Sequence, residues 1–156
     1  MKATGVGPKI ILVTLPFVAA GIVLHTYLPE YARYSSVYPA VLVRIGMALT
    51  GLGAAFFLVA MLQFIQGFAS GKLITGGVFG FSRNPIYASW IVFLLPGISL
   101  IFNNCWFLCS AVAMLLAFQK YIRYEEQILR EVFGKSYQEY SNRVGRIGFF
   151  PGSQFV

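Results

Sequence analysis

A chain of 156 residues that is 58% hydrophobic, 17% aromatic and only 11% charged, with a mean hydropathy of +0.72, is too apolar for a soluble domain of its length. Its net charge of +7 comes from Lys and Arg at the edges of apolar runs rather than on a water-facing patch, which argues against nucleic acid as a partner. The composition is that of an all-α integral membrane protein.

Ile10 to Leu28 holds 19 residues without a formal charge, enough at ~1.5 Å per residue to cross a ~30 Å hydrocarbon layer. Lys2 and Lys9 precede this run like the basic end of a signal peptide, but no small-residue cleavage pattern follows before Pro29, so a retained span is expected, kinked at Pro16. His25 near its far end reads as an interfacial residue. Residues 29–40, with two prolines, Tyr31, Tyr34 and Tyr38, read as a loop in the aromatic interfacial belt. A second uncharged run of 21 residues, 45–65, enters from Arg44 and carries Gly46, Ala48, Gly51, Gly53, Ala54 and Ala55, a small-residue face suited to close helix packing in lipid.

Residues 67–83 then break the pattern with five glycines, Lys72 and Arg83, as a loop too long for a simple turn. From Asn84 to Gln119 there are 36 residues without a charge, too many for one span and about enough for two. Asn103-Asn104 marks the turn of a hairpin with arms 86–102 and 105–119, the first loosened at Pro96-Gly97. No Gly or Pro occurs from Cys105 to Phe133, so the second arm is expected to continue unbroken into water. Cys105 and Cys109 lie four apart on one helix and read as small interface residues rather than a disulfide.

Four spans of about 10–28, 45–65, 86–102 and 105–119 put the N-terminus, residues 67–85 and residues 120–156 on one side. That side carries ten Lys and Arg (2, 9, 72, 83, 120, 123, 130, 135, 143 and 146), against Arg33 and Arg44 on the other. The positive-inside rule makes it cytoplasmic, termini included. Two polar islands, 67–85 and the helix after residue 119, therefore meet on the cytoplasmic face.

On the projecting helix, at ~100° per residue, Tyr121, Ile122, Tyr124, Ile128, Leu129, Val132 and Phe133 form one apolar face, and Lys120, Arg123, Gln127, Arg130 and Glu131 the other. Glu125 falls within the apolar face and Glu126 at its edge. A carboxylate there costs several kcal/mol (on the order of) unless paired or ligand-bound, so Glu125 requires a partner, Arg83 or Arg146 for a structural pair, or a ligand for a functional one. Glu126 has an ordinary surface reading as an i,i+4 pair with Arg130. The glycines at 71, 76, 77 and 80 match neither a dinucleotide nor a P-loop fingerprint; they offer a flexible loop whose backbone can approach a ligand closely.

Arg83-Asn84-Pro85-Ile86-Tyr87, Glu125-Glu126, Leu129, Phe133-Gly134, Tyr137, Tyr140, Val144 and Arg146, in this order and spacing, resemble the isoprenylcysteine carboxyl methyltransferase family and its relatives, the membrane phospholipid methyltransferases. The resemblance covers about the C-terminal half. It implies a helical membrane enzyme that binds S-adenosyl-L-methionine between the loop before the third span and the helix after the fourth, uses no metal, and receives a lipophilic or lipidated acceptor from the bilayer. Carried over by position, Asn84, Pro85, Tyr87, Glu125, Glu126, Tyr137 and Tyr140 would bind the cofactor, and Arg83, Glu125 and Arg146 would serve catalysis, the arginines orienting a carboxylate. The family usually has His at the position of Asn84 and a basic residue in the stretch 77–81, and the distance from Arg146 to Pro151 is longer than usual, so Arg143 competes for the arginine position. With no base beyond the glutamates, an anionic acceptor fits better than an amine.

Two other readings stand beside this one. The sterol and lipid double-bond reductases, which use NADPH, resemble the same region, but the loop is poor in the basic residues a 2′-phosphate needs. A small transporter or structural subunit would be non-enzymatic; a proton-coupled transporter should carry a carboxylate near a span centre, and all five acidic residues lie outside the expected spans.

Overall fold

A computed structural model describes residues 5–148, so Lys2 and the stretch around Pro151 lie outside the described residues. The described chain is helical throughout, with no strand. Helix α1 (Gly7–Tyr27) begins at Val6, with Pro8 in its first turn, where a missing N–H costs nothing, and contains Pro16. A single turn, α2 (Pro29–Ala32), occupies part of the expected interfacial loop. Helix α3 (Ala40–Ser70) starts before Arg44 and runs five residues past the end expected at residue 65, since Gln63 and Gln66 carry no breaker signal.

After a loop containing a 3₁₀ turn (Gly77–Gly80), α4 (Pro85–Ile101) forms the first arm of the hairpin. Its middle, Ser89–Leu94, winds as a π-helix just ahead of Pro96. Proline lacks an N–H and crowds the carbonyl four residues back, and the wider π turn absorbs both defects. The hairpin turns at Phe102 to Cys105 with Asn103 in the left-handed region at φ 48°. Helix α5 (Trp106–Arg143) then runs far beyond the apolar part of its sequence, broken at Gly134 (φ 51°, ψ −123°), which an L side chain would resist.

α1 packs on α5, α5 on α4, and α4 on α3. The expected small-residue contact is made by Gly46 and Gly53: a Cβ at Gly46 would lie 2.8 Å from the Gly97 carbonyl oxygen, and one at Gly53 2.6 Å from Phe93 Cβ, whereas Gly51 faces open space. Backbones so close leave no room for side chains. Ile10, Ile91, Leu95, Met114, Phe118 and Ile122 form the core between α1, α4 and α5.

α1 and residues 40–67 of α3 are long and apolar enough to cross a membrane, and only 17% of the most apolar window of each is buried inside the protein. Their outward Ile, Leu, Val and Phe side chains require lipid rather than water. The two ends of the bundle differ. At one, the hairpin tip is tied to the α1–α3 connection: Asn103 Nδ2 donates to Ser35 O at 2.8 Å, Cys105 N–H to Ala32 O at 2.8 Å, and buried Asn104 reaches Gly21 O at 2.9 Å. Tyr34 and Ser99 share a short hydroxyl–hydroxyl bond there. His25 packs edge-on against Phe102, and the two cysteines are unpaired, Cys105 at the start of α5. At the other end lie the start of α1, the glycine-rich loop, the start of α4 and the extension of α5.

Candidate active site

The glycine-rich loop is held from two sides. From α3, Gln63 Oε1 accepts the Val78 N–H at 3.2 Å, its side chain lying where a Cβ of Gly77 (φ 59°) would be. From α5, the Tyr140 hydroxyl donates to Phe79 O at 2.7 Å. The segment after α5 then pairs with the mouth of α4: Arg83 N–H donates to Gly145 O at 2.9 Å, Ser82 Oγ to Arg146 O at 2.9 Å, and Asn84 Nδ2 to Arg146 O at 3.3 Å. The two polar islands expected from the sequence therefore meet.

At their junction sits Glu126. Its side chain is 6% exposed and takes two guanidinium groups: Arg83 Nη1 stands 3.1 Å from Oε1, and Arg146 closes with Nη2 on Oε2 at 2.6 Å and Nε on Oε1 at 2.9 Å. Two cations on one desolvated carboxylate satisfy it fully. The Glu126 hydrogen bonds hold the Arg146 guanidinium above its ordinary pKa. Arg83 Nη1 also approaches the Tyr137 hydroxyl at 3.4 Å, and its buried Nε–H has no acceptor among the described residues.

Glu126, not Glu125, holds the arginines, and Arg130 is not its partner. The buried face of α5 is Phe118, Ile122, Glu126, Tyr137 and Tyr140, so Ile122 lies inside as expected, while Tyr124, Ile128 and Val132, one side of the expected apolar face, are exposed. Apolar residues beside a membrane mark the outside as readily as the core, which displaced the inferred face toward its exposed side.

Glu125 is half-buried and has no cationic side chain within ion-pair distance among the described residues. Burial pushes the Glu125 carboxyl above its ordinary pKa, the Val6 hydrogen bond opposing this and Glu126 adding to it. Tyr87, half-buried, packs its ring on Phe118 with centroids 5.3 Å apart, and Pro85 is fully buried at the first turn of α4. Tyr137 and Tyr140 are buried against the loop and each other, and burial raises both phenols. Tyr140 holds the loop through Phe79 O and Tyr137 meets Arg83 Nη1. Arg143 is exposed, and of the two only Arg146 contacts Glu126. Ser82, Gln63 and Gly145 were not visible in the sequence as site components, because each acts through backbone or a common surface residue type.

This is a helical, membrane-type protein with a polar site built where a glycine-rich loop and a helix extension close at one end of the bundle. A family model for phospholipid methyltransferases matches residues 40–136, and the chain belongs to that family. Within it the similarity runs to isoprenylcysteine methyltransferases. A probable protein-S-isoprenylcysteine O-methyltransferase from Oryza sativa subsp. indica is 33% identical over 73 residues, covering 47% of this chain and 38% of that protein. Protein-S-isoprenylcysteine O-methyltransferase B of Arabidopsis thaliana is 33% identical over 73 residues, covering 47% and 37%. The solved structure of a eukaryotic intramembrane Ras methyltransferase, an isoprenylcysteine carboxyl methyltransferase, matches 89% of this chain and 51% of its own with a TM-score of 0.66 at 21% identity, a likeness of fold. The chain thus spans about half the length of that structure, and the matched stretch less than two fifths of the curated relatives.

Proposed function

We propose that the protein is a multi-pass membrane methyltransferase that transfers a methyl group from S-adenosyl-L-methionine to a lipophilic acceptor, the carboxylate of an isoprenylcysteine-like substrate. In this reading α1, α3, α4 and the first half of α5 are four spans, both termini are cytoplasmic, and the acceptor arrives from the bilayer. The observation that carries the proposal is the division of labour between adjacent carboxylates: Glu126 is saturated by Arg83 and Arg146, while half-buried Glu125 has no cationic side chain within ion-pair distance among the described residues and is suited to bind a cation. The names of the relatives support the reaction class and the acceptor.

The donor set fits the cofactor. A desolvated carboxylate suits an ammonium or sulfonium cation, and a glycine-rich backbone suits close approach of a planar base. When bound, S-adenosyl-L-methionine supplies an electrophilic methyl group on a sulfonium that departs as a neutral thioether. Glu125 holds positive charge near the mouth of α4, and Asn84, Pro85 and Tyr87 form that mouth. Glu126 fixes Arg83 and Arg146, and the Arg83 Nε–H, which has no acceptor among the described residues, would be a donor suited to orient an acceptor carboxylate toward that methyl group. No proton needs to move, so the lack of a histidine at Asn84 is no obstacle. Rate then comes from alignment of two bound groups in a site shielded from water.

The test is transfer of labelled methyl from S-adenosyl-L-methionine by the purified protein in lipid nanodiscs, with S-farnesylcysteine and phosphatidylethanolamine offered in parallel. Ester formation on the farnesylcysteine supports the proposal; methylation of the phospholipid amine alone would refute the carboxylate acceptor, and label on neither would refute the activity.

A further inference from the structure

Helices α1 and α5 lie side by side and antiparallel. Near one end a Cβ at Gly21 would stand 3.3 Å from Trp106 Cβ, and at the other Lys9 reaches the ring of Tyr121. Two ammonium groups meet on that ring, which is half-buried against the core: Lys9 Nζ lies 5.8 Å from its centroid and Lys120 Nζ 5.6 Å. Both lysines are exposed, and neither takes part in an ion pair, the two ion pairs of the described residues being those of Glu126. Like charges drawn to one ring repel each other, and a cation–π contact at an exposed site is weak compensation. An anion between them would turn the repulsion into attraction.

The helix faces beneath the lysines are apolar and uncovered. Val13 and Phe17 follow Lys9 by one and two turns along α1 and are each 38% exposed. Leu116 and Val112 precede Lys120 by one and two turns along α5 and are 60% and 56% exposed. Because the helices are antiparallel, both rows descend from the lysines toward the middle of the bundle. Lys9 stands immediately before the uncharged run of α1, one of the helices apolar enough to cross a membrane, and Lys120 immediately after the uncharged run that ends at Gln119. Paired cations at the edge of the hydrocarbon, above two apolar rows, match an amphiphile with a negative head and long chains.

We infer that Lys9, Tyr121 and Lys120 form a binding site for an anionic phospholipid of the adjoining leaflet, its phosphodiester bridging the two ammonium groups and an acyl chain lying along Val13, Phe17, Leu116 and Val112. A zwitterionic lipid brings an amine of its own, a third cation beside two, so the site selects against it. The site is separate from the reaction proposed above, for neither lysine is among the residues placed at the cofactor or the acceptor. Occupancy ties the start of α1 to α5.

Native mass spectrometry of the detergent-purified protein, titrated with phosphatidylglycerol, phosphatidylcholine and water-soluble glycerophosphoglycerol, tests this. The unsubstituted protein should bind one phosphatidylglycerol about tenfold more tightly than phosphatidylcholine, and Lys9→Gln and Lys120→Gln should each weaken phosphatidylglycerol about fivefold. The double variant should hold the two lipids equally. Both side chains are exposed, so glutamine at either position leaves the core intact. Lys135→Gln removes the same charge from α5 beyond Gly134 and should leave the preference unchanged. No preference in the unsubstituted protein would overturn the inference, as would a loss in Lys135→Gln equal to that in the other two, the mark of a diffuse charge effect. Glycerophosphoglycerol binding as tightly as the lipid would also overturn it, since the apolar rows would then contribute nothing.

Discussion

Replacing Glu126 by Gln keeps the shape of the side chain and removes the charge that holds two arginines. Its side chain is 6% exposed, Arg83 10% and Arg146 31%, so the pair with Arg83 is buried and that with Arg146 is partly open to solvent. Removing one partner of a buried pair costs about 3–5 kcal/mol because the other charge stays desolvated. The exposure of Arg146 and the hydrogen bond that Gln can still accept place the expected loss at the lower end, about 3 kcal/mol. For a chain of this length that is a fall of roughly 6–12 °C in midpoint. The assay is reversible unfolding in mixed micelles, with Arg146→Met and the double variant closing a cycle. The coupling energy between Glu126 and Arg146 should be about 1–3 kcal/mol. Because Gly145 and Arg146 tie the segment after α5 to Arg83 and Ser82, limited proteolysis near residue 144 should also accelerate. A loss below about 1 kcal/mol with no coupling would refute the buried ion triad as the clasp of the site.

Arg146→Lys should behave nearly as badly as Arg146→Met, since an ammonium cannot reproduce contact through both Nε and Nη2, and unfolding midpoints of the two variants check this. Tyr140→Phe leaves Phe79 O without its donor and should cost about 1–2 kcal/mol, read by the same unfolding assay, with faster hydrogen exchange in residues 77–81. Gly53→Ala should weaken the α3–α4 contact by about 1–3 kcal/mol, whereas Gly51→Ala, with open space at its Cβ, should be neutral within about 0.5 kcal/mol. Glu125 titrates above its ordinary 4.5 in the folded protein, so ionising it opposes folding: stability should decline as pH rises from about that value through the raised one, and Glu125→Gln should flatten this decline in a pH series of unfolding midpoints.

The helices were legible because each rests on a local signal. Charge-free runs located α1, α3 and the hairpin, Asn103-Asn104 marked the turn that Asn103 makes with its positive φ, and the absence of Gly or Pro before Gly134 predicted the long reach of α5. Gly46 and Gly53 did what small residues in a span are expected to do. The meeting of the two polar islands followed from span parity and from where Lys and Arg lie.

What failed was the phase of α5. A helical wheel assigns the apolar side to the interior, but Tyr124, Ile128 and Val132 are exposed at the end of a membrane bundle, and the interior of the site is where polar groups pair. Glu126, set at the edge of the wheel, is therefore the buried carboxylate. Tyr140, read from the sequence as a cofactor residue, also holds the loop through Phe79 O, and Tyr137 meets Arg83 Nη1, contacts that no sequence pattern announces.

Calorimetric titration of the detergent-purified protein and of Glu125→Gln with S-adenosylhomocysteine, using NADPH as the control, bears most directly on the assignment of Glu125 as the cation-binding group of a methyltransferase. Micromolar binding of S-adenosylhomocysteine by the unsubstituted protein, its loss in a Glu125→Gln protein that remains folded, and no binding of NADPH are the expected results. Undiminished binding by Glu125→Gln, or binding of NADPH alone, would contradict it.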